Sequence, residues 1–160
     1  MSASPQIFAD DLRIGQTFSG EPRLIGDEQF ADFARMTGDD HPIHYDDAYA
    51  KKTRYGKRLA HGLLVTSMTA LGATAMSHRL EDAMVAFVEH GMRFLKPVFV
   101  GDTVKSEFEV ASIERKEGRD KALVRFNVSL VNGRGEVVLE GFHVYLLALR
   151  PPVAGPSHAA

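Results

Sequence analysis

The spacing of apolar positions changes along this chain, and with it the element each segment predicts. From Asp27 to Thr37 the residues Phe30, Phe33, Ala34 and Thr37 share one helical face, with Asp27 as a credible N-cap and Gly38 suited to the C′ position. Ahead of this helix, Asp11 to Ile25 carries short apolar/polar alternation and a Gly15 turn, which predicts a first strand around Thr17 to Leu24. Asp46 to Lys52 predicts another short helix. Arg54 to Leu59, basic and interrupted by Gly56, predicts a loop.

His61 to Ser77 is the longest helical pattern. Small residues (Gly62, Ser67, Ala70, Gly72, Ala73, Ala75, Ser77) are interleaved with Leu63, Leu64, Val65, Met68, Leu71 and Met76 on nearly all sides. A helix apolar all round is predicted to be enclosed by other structure, and the small residues would let a sheet approach closely. Everything after it reads as strands. Met84 to Leu95 is mostly β-compatible and ends at Lys96-Pro97. From Thr103 to Ile113, Val104, Ser106, Phe108 and Val110 alternate with Lys105, Glu107 and Glu109. Ala122, Val124, Phe126, Val128 and Leu130 form the buried face of a third strand, and Asn132-Gly133 begins a tight turn into Glu136 to Leu149. Turn signals at Gly101-Asp102, Glu117-Gly118 and Asn132-Gly133 fit an antiparallel meander. The predicted architecture is α+β: a curved antiparallel sheet wrapped around a long central helix. Separated layers of helix and sheet are the less specific alternative.

Length and composition narrow the picture. The 160 residues fit one domain over 7–150, between flexible tails at 1–6 and 151–160. Apolar residues at 44% and charged residues at 25% are ordinary for a soluble globular protein. A net charge of −2 makes no case for nucleic-acid or anionic-membrane partners. The chain has no cysteine, which excludes disulfides and thiolate chemistry and fits a cytoplasmic setting. Met1 to Gln6 lacks the basic and apolar regions of a signal peptide, and no apolar run reaches membrane-spanning length.

Candidate chemistry concentrates in Thr37-Gly38-Asp39-Asp40-His41-Pro42-Ile43-His44-Tyr45-Asp46. A Gly-Asp turn followed by a rigid Pro can hold Asp39 and His44 in a set relation, as acid–base chemistry requires. A capping Asp and a structurally bonded His is the blander alternative. His41 reads first as a structural hydrogen-bonding residue and second as a supporting catalytic group. Asp39, His41, His44 and His61 are also metal-ligand types, but their spacing matches no helical zinc motif, so no metal is expected. His78, His90 and His143 carry no motif.

Phe33-Ala34-Arg35-Met36-Thr37-Gly38-Asp39-Asp40-His41-Pro42-Ile43-His44 resembles the signature of MaoC-like dehydratases and (R)-specific enoyl-CoA hydratases. Ala60-His61-Gly62-Leu63-Leu64 resembles the start of that family's central helix, and Arg93 to Asp102 its strand-turn-strand block. Taken in order, the three blocks span a likeness from about Phe8 to Leu149. The resemblance implies a hot-dog fold, usually dimeric, that hydrates trans-2-enoyl thioesters or dehydrates 3-hydroxyacyl thioesters. It places the catalytic pair on Asp39 and His44 and the thioester-oxygen donor on the backbone N–H of Gly62. Many members carry Asn where this chain has His41, which bears on the substrate and on the hydrogen bonds around Asp39.

No cofactor is implied beyond a coenzyme A or acyl-carrier thioester as substrate. Arg54, Lys57 and Arg58, in a basic run with Lys51 and Lys52, are possible coenzyme A phosphate contacts or a solvated surface. Phe30, Phe33 and Met68 would be core or acyl-pocket lining. A hot-dog thioesterase and a non-catalytic acyl-thioester-binding subunit are the competing readings. Exposed edges of the meander, together with the resemblance, predict a homodimer joined edge to edge.

Overall fold

The computed structural model describes residues 5–115 and 118–152. In chain order the elements are β1 (Thr17–Ser19), β2 (Arg23–Ile25), α1 (Asp27–Thr37), α2 (Pro42–Tyr45), α3 (Asp47–Lys51), α4 (Gly62–Ser67), α5 (Ala75–Arg79), β3 (Met84–Phe94), β4 (Asp102–Arg115), β5 (Lys121–Asn132) and β6 (Val137–Ala148). The six strands form one antiparallel sheet in the order β1-β4-β5-β6-β3, with β2 also on β4.

The alternation along β4 and β5 sets this sheet. Val104, Ser106, Phe108 and Val110 are buried, as are Ala122, Val124, Phe126, Val128 and Leu130. Cross-strand pairing puts Phe108 opposite Val128 and Val110 opposite Phe126, so the apolar rows stack side by side. The Asn132 carboxamide oxygen accepts from the N–H of Arg134 and Glu136 at 2.9 and 3.0 Å and shapes the turn into β6. The single strand expected over Thr17 to Leu24 is two short ones. Pro22, between them, has no N–H to give the ladder. The Glu117 part of the expected second turn lies outside the described residues. So do 1–4 and 153–160 of the two expected tails; Gln6, by contrast, bonds to the backbone of His78 and Asp82.

Helix α1 has the expected span, but Gly26 rather than Asp27 is its N-cap. The Gln29 side-chain oxygen accepts from the Gly26 N–H at 2.9 Å. Phe30 and Phe33 are buried in a cluster with Ile25, Leu64, Val104, Leu130 and Leu139. Each such side chain contributes roughly 1.5–3 kcal/mol, which anchors the helix that leads into the chemistry-bearing turn. A second cluster, around Phe108, Phe126, Tyr145, Leu71, Met76 and Leu80, fills the other end of the sheet.

The long central helix is the main correction. His61 to Ser77 forms a segmented strap: α4, a 3-10 turn at Leu71–Ala73, then α5. Its own hydroxyls account for the break. Ser67, Thr69 and Thr74 each bond the carbonyl three residues back, at 2.6 to 2.8 Å, and Ala70 adopts an extended ψ of 124°. The strap is not enclosed on all sides either. Leu64, Val65, Leu71 and Met76 are buried, whereas Leu63 is 71% exposed. On the same molecule, the edge strand β3 leaves Val85, Phe87, Val88 and Phe94 exposed. Among the described residues, no helix is long and apolar enough to cross a membrane.

Candidate active site

The site is assembled where α1 ends. Gly38, at φ 77°, takes the left-handed conformation and its N–H bonds Ala34 O at 2.8 Å. The Thr37 hydroxyl bonds Phe33 O and accepts from the Asp39 N–H, so Asp39 leaves the helix in a defined direction. His41 caps α2, its Nδ1 accepting from the Ile43 N–H at 3.3 Å, with Pro42 in the first helical turn. Asp46 likewise caps α3, accepting from the N–H of Ala48 and Tyr49.

That single turn aims His44 at Asp39. Its Nδ1 lies 2.6 Å from Leu59 O, and a carbonyl only accepts, so Nδ1 carries the hydrogen. In the neutral ring Nε2 is therefore a bare acceptor. One potential ligand atom from each of Asp39, His44 and His61 lies within 4.8 Å of the others. The His44 and His61 rings are stacked, centroids 3.7 Å apart and 26° from parallel. In-plane lone pairs of near-parallel rings do not converge on one ion, so the trio is poorly shaped for a metal although its residue types would serve.

A cavity of about 240 Å³ opens beside the pair, lined by Phe33, Asp39, His44, His61, Gly62, Leu63 and Phe94. Gly62 is the first residue of α4, and the first intrahelical bond is made by the Val65 N–H to His61 O at 3.0 Å. The Gly62 N–H thus belongs to the unpaired first turn. A Cβ at Gly62 would sit 3.1 Å from the Phe94 ring, in the cavity wall and away from the core. A larger trough of about 790 Å³ crosses the outer face of the sheet, with Glu107, Glu109, Arg125 and Glu140 in its lining. It contains none of the motif residues.

The basic run divides. Arg58, 15% exposed, is bonded to Asp27 at 2.7 Å and Asp47 at 3.0 Å. It clasps the start of α1 to the start of α3, which engages its guanidinium with two carboxylates. Lys57 lies 4.4 Å over the Phe99 ring and Arg54 4.8 Å over Tyr55. Both remain on the loop whose last residue, Leu59, holds His44.

Sequence reasoning weighed His61 only as a metal ligand and gave Tyr45 and Phe94 no role. His61 is buried and its Nε2 lies 2.9 Å from the Tyr45 hydroxyl, which also reaches Phe30 O and Asp39 O. Burial, then the charges of Asp39 and Asp40, raise the Tyr45 pKa. The available signal was the place of His61 beside Gly62 in a quoted motif.

With this geometry in hand, comparison with known proteins is decisive for the family. Residues 10–132 match the MaoC like domain, and the chain belongs to that family. It is 29% identical over 135 residues to a 3-hydroxybutyryl-CoA dehydratase of Methylorubrum extorquens, covering 84% of this chain and 80% of that one. It is 28% identical over 133 residues to an (R)-specific enoyl-CoA hydratase of Aeromonas caviae, covering 83% and 93%. A monoamine oxidase regulatory protein from Archaeoglobus superposes at a TM-score of 0.85 with 32% identity, over 94% of this chain and 100% of that one. The α+β architecture is the hot-dog fold of MaoC-like dehydratases.

Proposed function

We propose that the protein is a hydro-lyase that reversibly hydrates trans-2-enoyl thioesters, with Asp39 and His44 as its proton-transfer pair. The observation that carries this is the meeting of Asp39, His44 and Gly62 in one small cavity of a MaoC-like chain. The names of the dehydratase and hydratase relatives support it.

The residues suit the chemistry. Hydration needs water to add at C3 and a proton to reach C2. A water between the Asp39 carboxylate and His44 Nε2 can lose one proton as its oxygen bonds C3. The π electrons move towards the thioester carbonyl, and a proton returned to C2 by the pair completes the addition. Charge that gathers on the thioester oxygen is met by the Gly62 N–H, at the positive end of a helix and free of a side chain. Arg54 and Lys57 are the proposed contacts for coenzyme A phosphates. The β3 edge, with its exposed apolar side chains, is the proposed seam of a homodimer.

Incubation with crotonyl-CoA tests this reading. Loss of enoyl absorbance without release of free thiol is expected. Thiol release instead would make the protein a thioesterase, and binding without either signal would make it a non-catalytic acyl-thioester-binding subunit.

A further inference from the structure

His61 is 2% exposed, and its side chain does not cap the helix that follows. One face meets His44; Phe33 and Phe30 pack around it at centroid distances of 4.6 and 5.5 Å. The Tyr45 oxygen lies 2.9 Å from His61 Nε2, 3.0 Å from Phe30 O and 3.1 Å from Asp39 O. Both carbonyls only accept, and a phenol has one hydrogen. Shared between the two carbonyls in a bifurcated bond, that hydrogen leaves the third contact to take its hydrogen from His61 Nε2. This fixes the imidazole as the Nε2–H tautomer and leaves Nδ1 bare. Nδ1 is buried with no hydrogen-bond partner, so a second proton there would find no acceptor. Burial, then the neighbouring His44, lowers the His61 pKa, against a smaller opposing effect of Asp39. The titratable groups facing this ring are His44, Tyr45 and Asp39.

We propose that His61 is a positioning residue: a buried ring that steadies the face of His44 and, through the Tyr45 hydroxyl, ties it to the backbone of Asp39. The Cβ–Cγ bond and the hydrogen bond from His44 Nδ1 to Leu59 O hold two points of the ring but let it rock about the line between them. The stacked face of His61 removes that freedom. Tyr45 then links both halves of the pair, so their spacing is set by one buried connection. This inference rests on the reading of Asp39 and His44 as the pair that moves protons.

The test separates ring from donor. His61→Phe keeps a ring and loses the N–H. His61→Gln places an amide N–H near the former Nε2 and loses the ring. His61→Ala loses both. Turnover of crotonyl-CoA is measured beside the 15N spectrum of the His44 ring in the full-length protein. Expected is a fall in kcat of about 10- to 100-fold in the Gln and Ala variants, from misplacement alone, with KM within about threefold of wild type. His44 should hold the Nδ1–H tautomer in wild type and His61→Phe and relax to a mixture in His61→Gln and His61→Ala. An unchanged His44 spectrum in both of the latter overturns the proposal, whatever happens to kcat. If wild-type protein hydrates no enoyl thioester, the acid–base reading fails, and the spectrum still decides whether His61 positions His44.

Discussion

Replacing Gly62 by Val separates a site glycine from a packing glycine. The nearest atoms the new Cβ would meet are three carbons of the Phe94 ring, at 3.1, 3.5 and 3.6 Å. Phe94 is 52% exposed on an edge strand, so its ring can move aside. The expected stability cost is about 1 kcal/mol, the low end for overpacking, or about 2–4 °C in Tm for a chain of this size. The functional cost is different in kind. A branched side chain in the cavity wall holds the thioester oxygen away from the Gly62 N–H. Losing one such donor costs about 3–4 kcal/mol of barrier, or about 10²- to 10³-fold in kcat. Tm by circular dichroism and crotonyl-CoA turnover, measured on one sample, give both numbers. A clearly lowered Tm with native turnover below it would refute the donor role and return Gly62 to packing. Native values of both would remove it from the site altogether.

Other perturbations reach other parts of the molecule. Asp39→Asn and His44→Ala should each abolish most hydration while leaving the circular dichroism spectrum intact, and the double variant should be little worse than either, because groups that act as a unit are not additive; near-normal turnover in either single variant counts against the pair. Light scattering at micromolar concentration should give a dimer mass, and Val88→Lys, on a strand edge where Val88 is 53% exposed, should shift it towards monomer; a monomeric wild type contradicts the seam. Burial, helped by the charge of His90, lowers the His143 pKa to about 4. An unfolded His titrates near 6.5, so the unfolded chain binds the extra proton first as pH drops. The contribution of a neutral His143 is complete above about pH 6.5 and is lost on acidification towards pH 4, by at most about 3 kcal/mol. Urea midpoints between pH 7 and 4.5 should fall less steeply in His143→Gln than in wild type, and equal slopes would exclude His143 as the cause.

Much of this architecture was legible because alternation is a local signal. Val104 to Val110 and Ala122 to Leu130 point to the core as their period requires, and the Phe30–Phe33 face did so for α1. The strap was misread because hydropathy carries no information about hydroxyls that bond back to their own chain, as Ser67, Thr69 and Thr74 do. At the site, Asp39 and His44 lie close in sequence and share a recognisable turn. His61 lies at the start of another helix, and Arg58 is claimed by Asp27 and Asp47 from two further ones. Contacts of that kind depend on the folded path, which periodicity alone cannot trace.

Leu59 ties its neighbours twice through the main chain: its N–H reaches Ile43 O at 3.3 Å and its carbonyl takes the hydrogen of His44 Nδ1. Neither link involves a side chain of the 53–59 loop. The tautomer of His44 is therefore set by main-chain atoms and not by the side chains of that loop. If Arg54 and Lys57 contact the acyl carrier as proposed, they can be exchanged in a library to retune which carrier is favoured, while the imidazole keeps the same nitrogen bare. On that proposal the protein separates what it grips from how it reacts, and the first can be engineered without reopening the second.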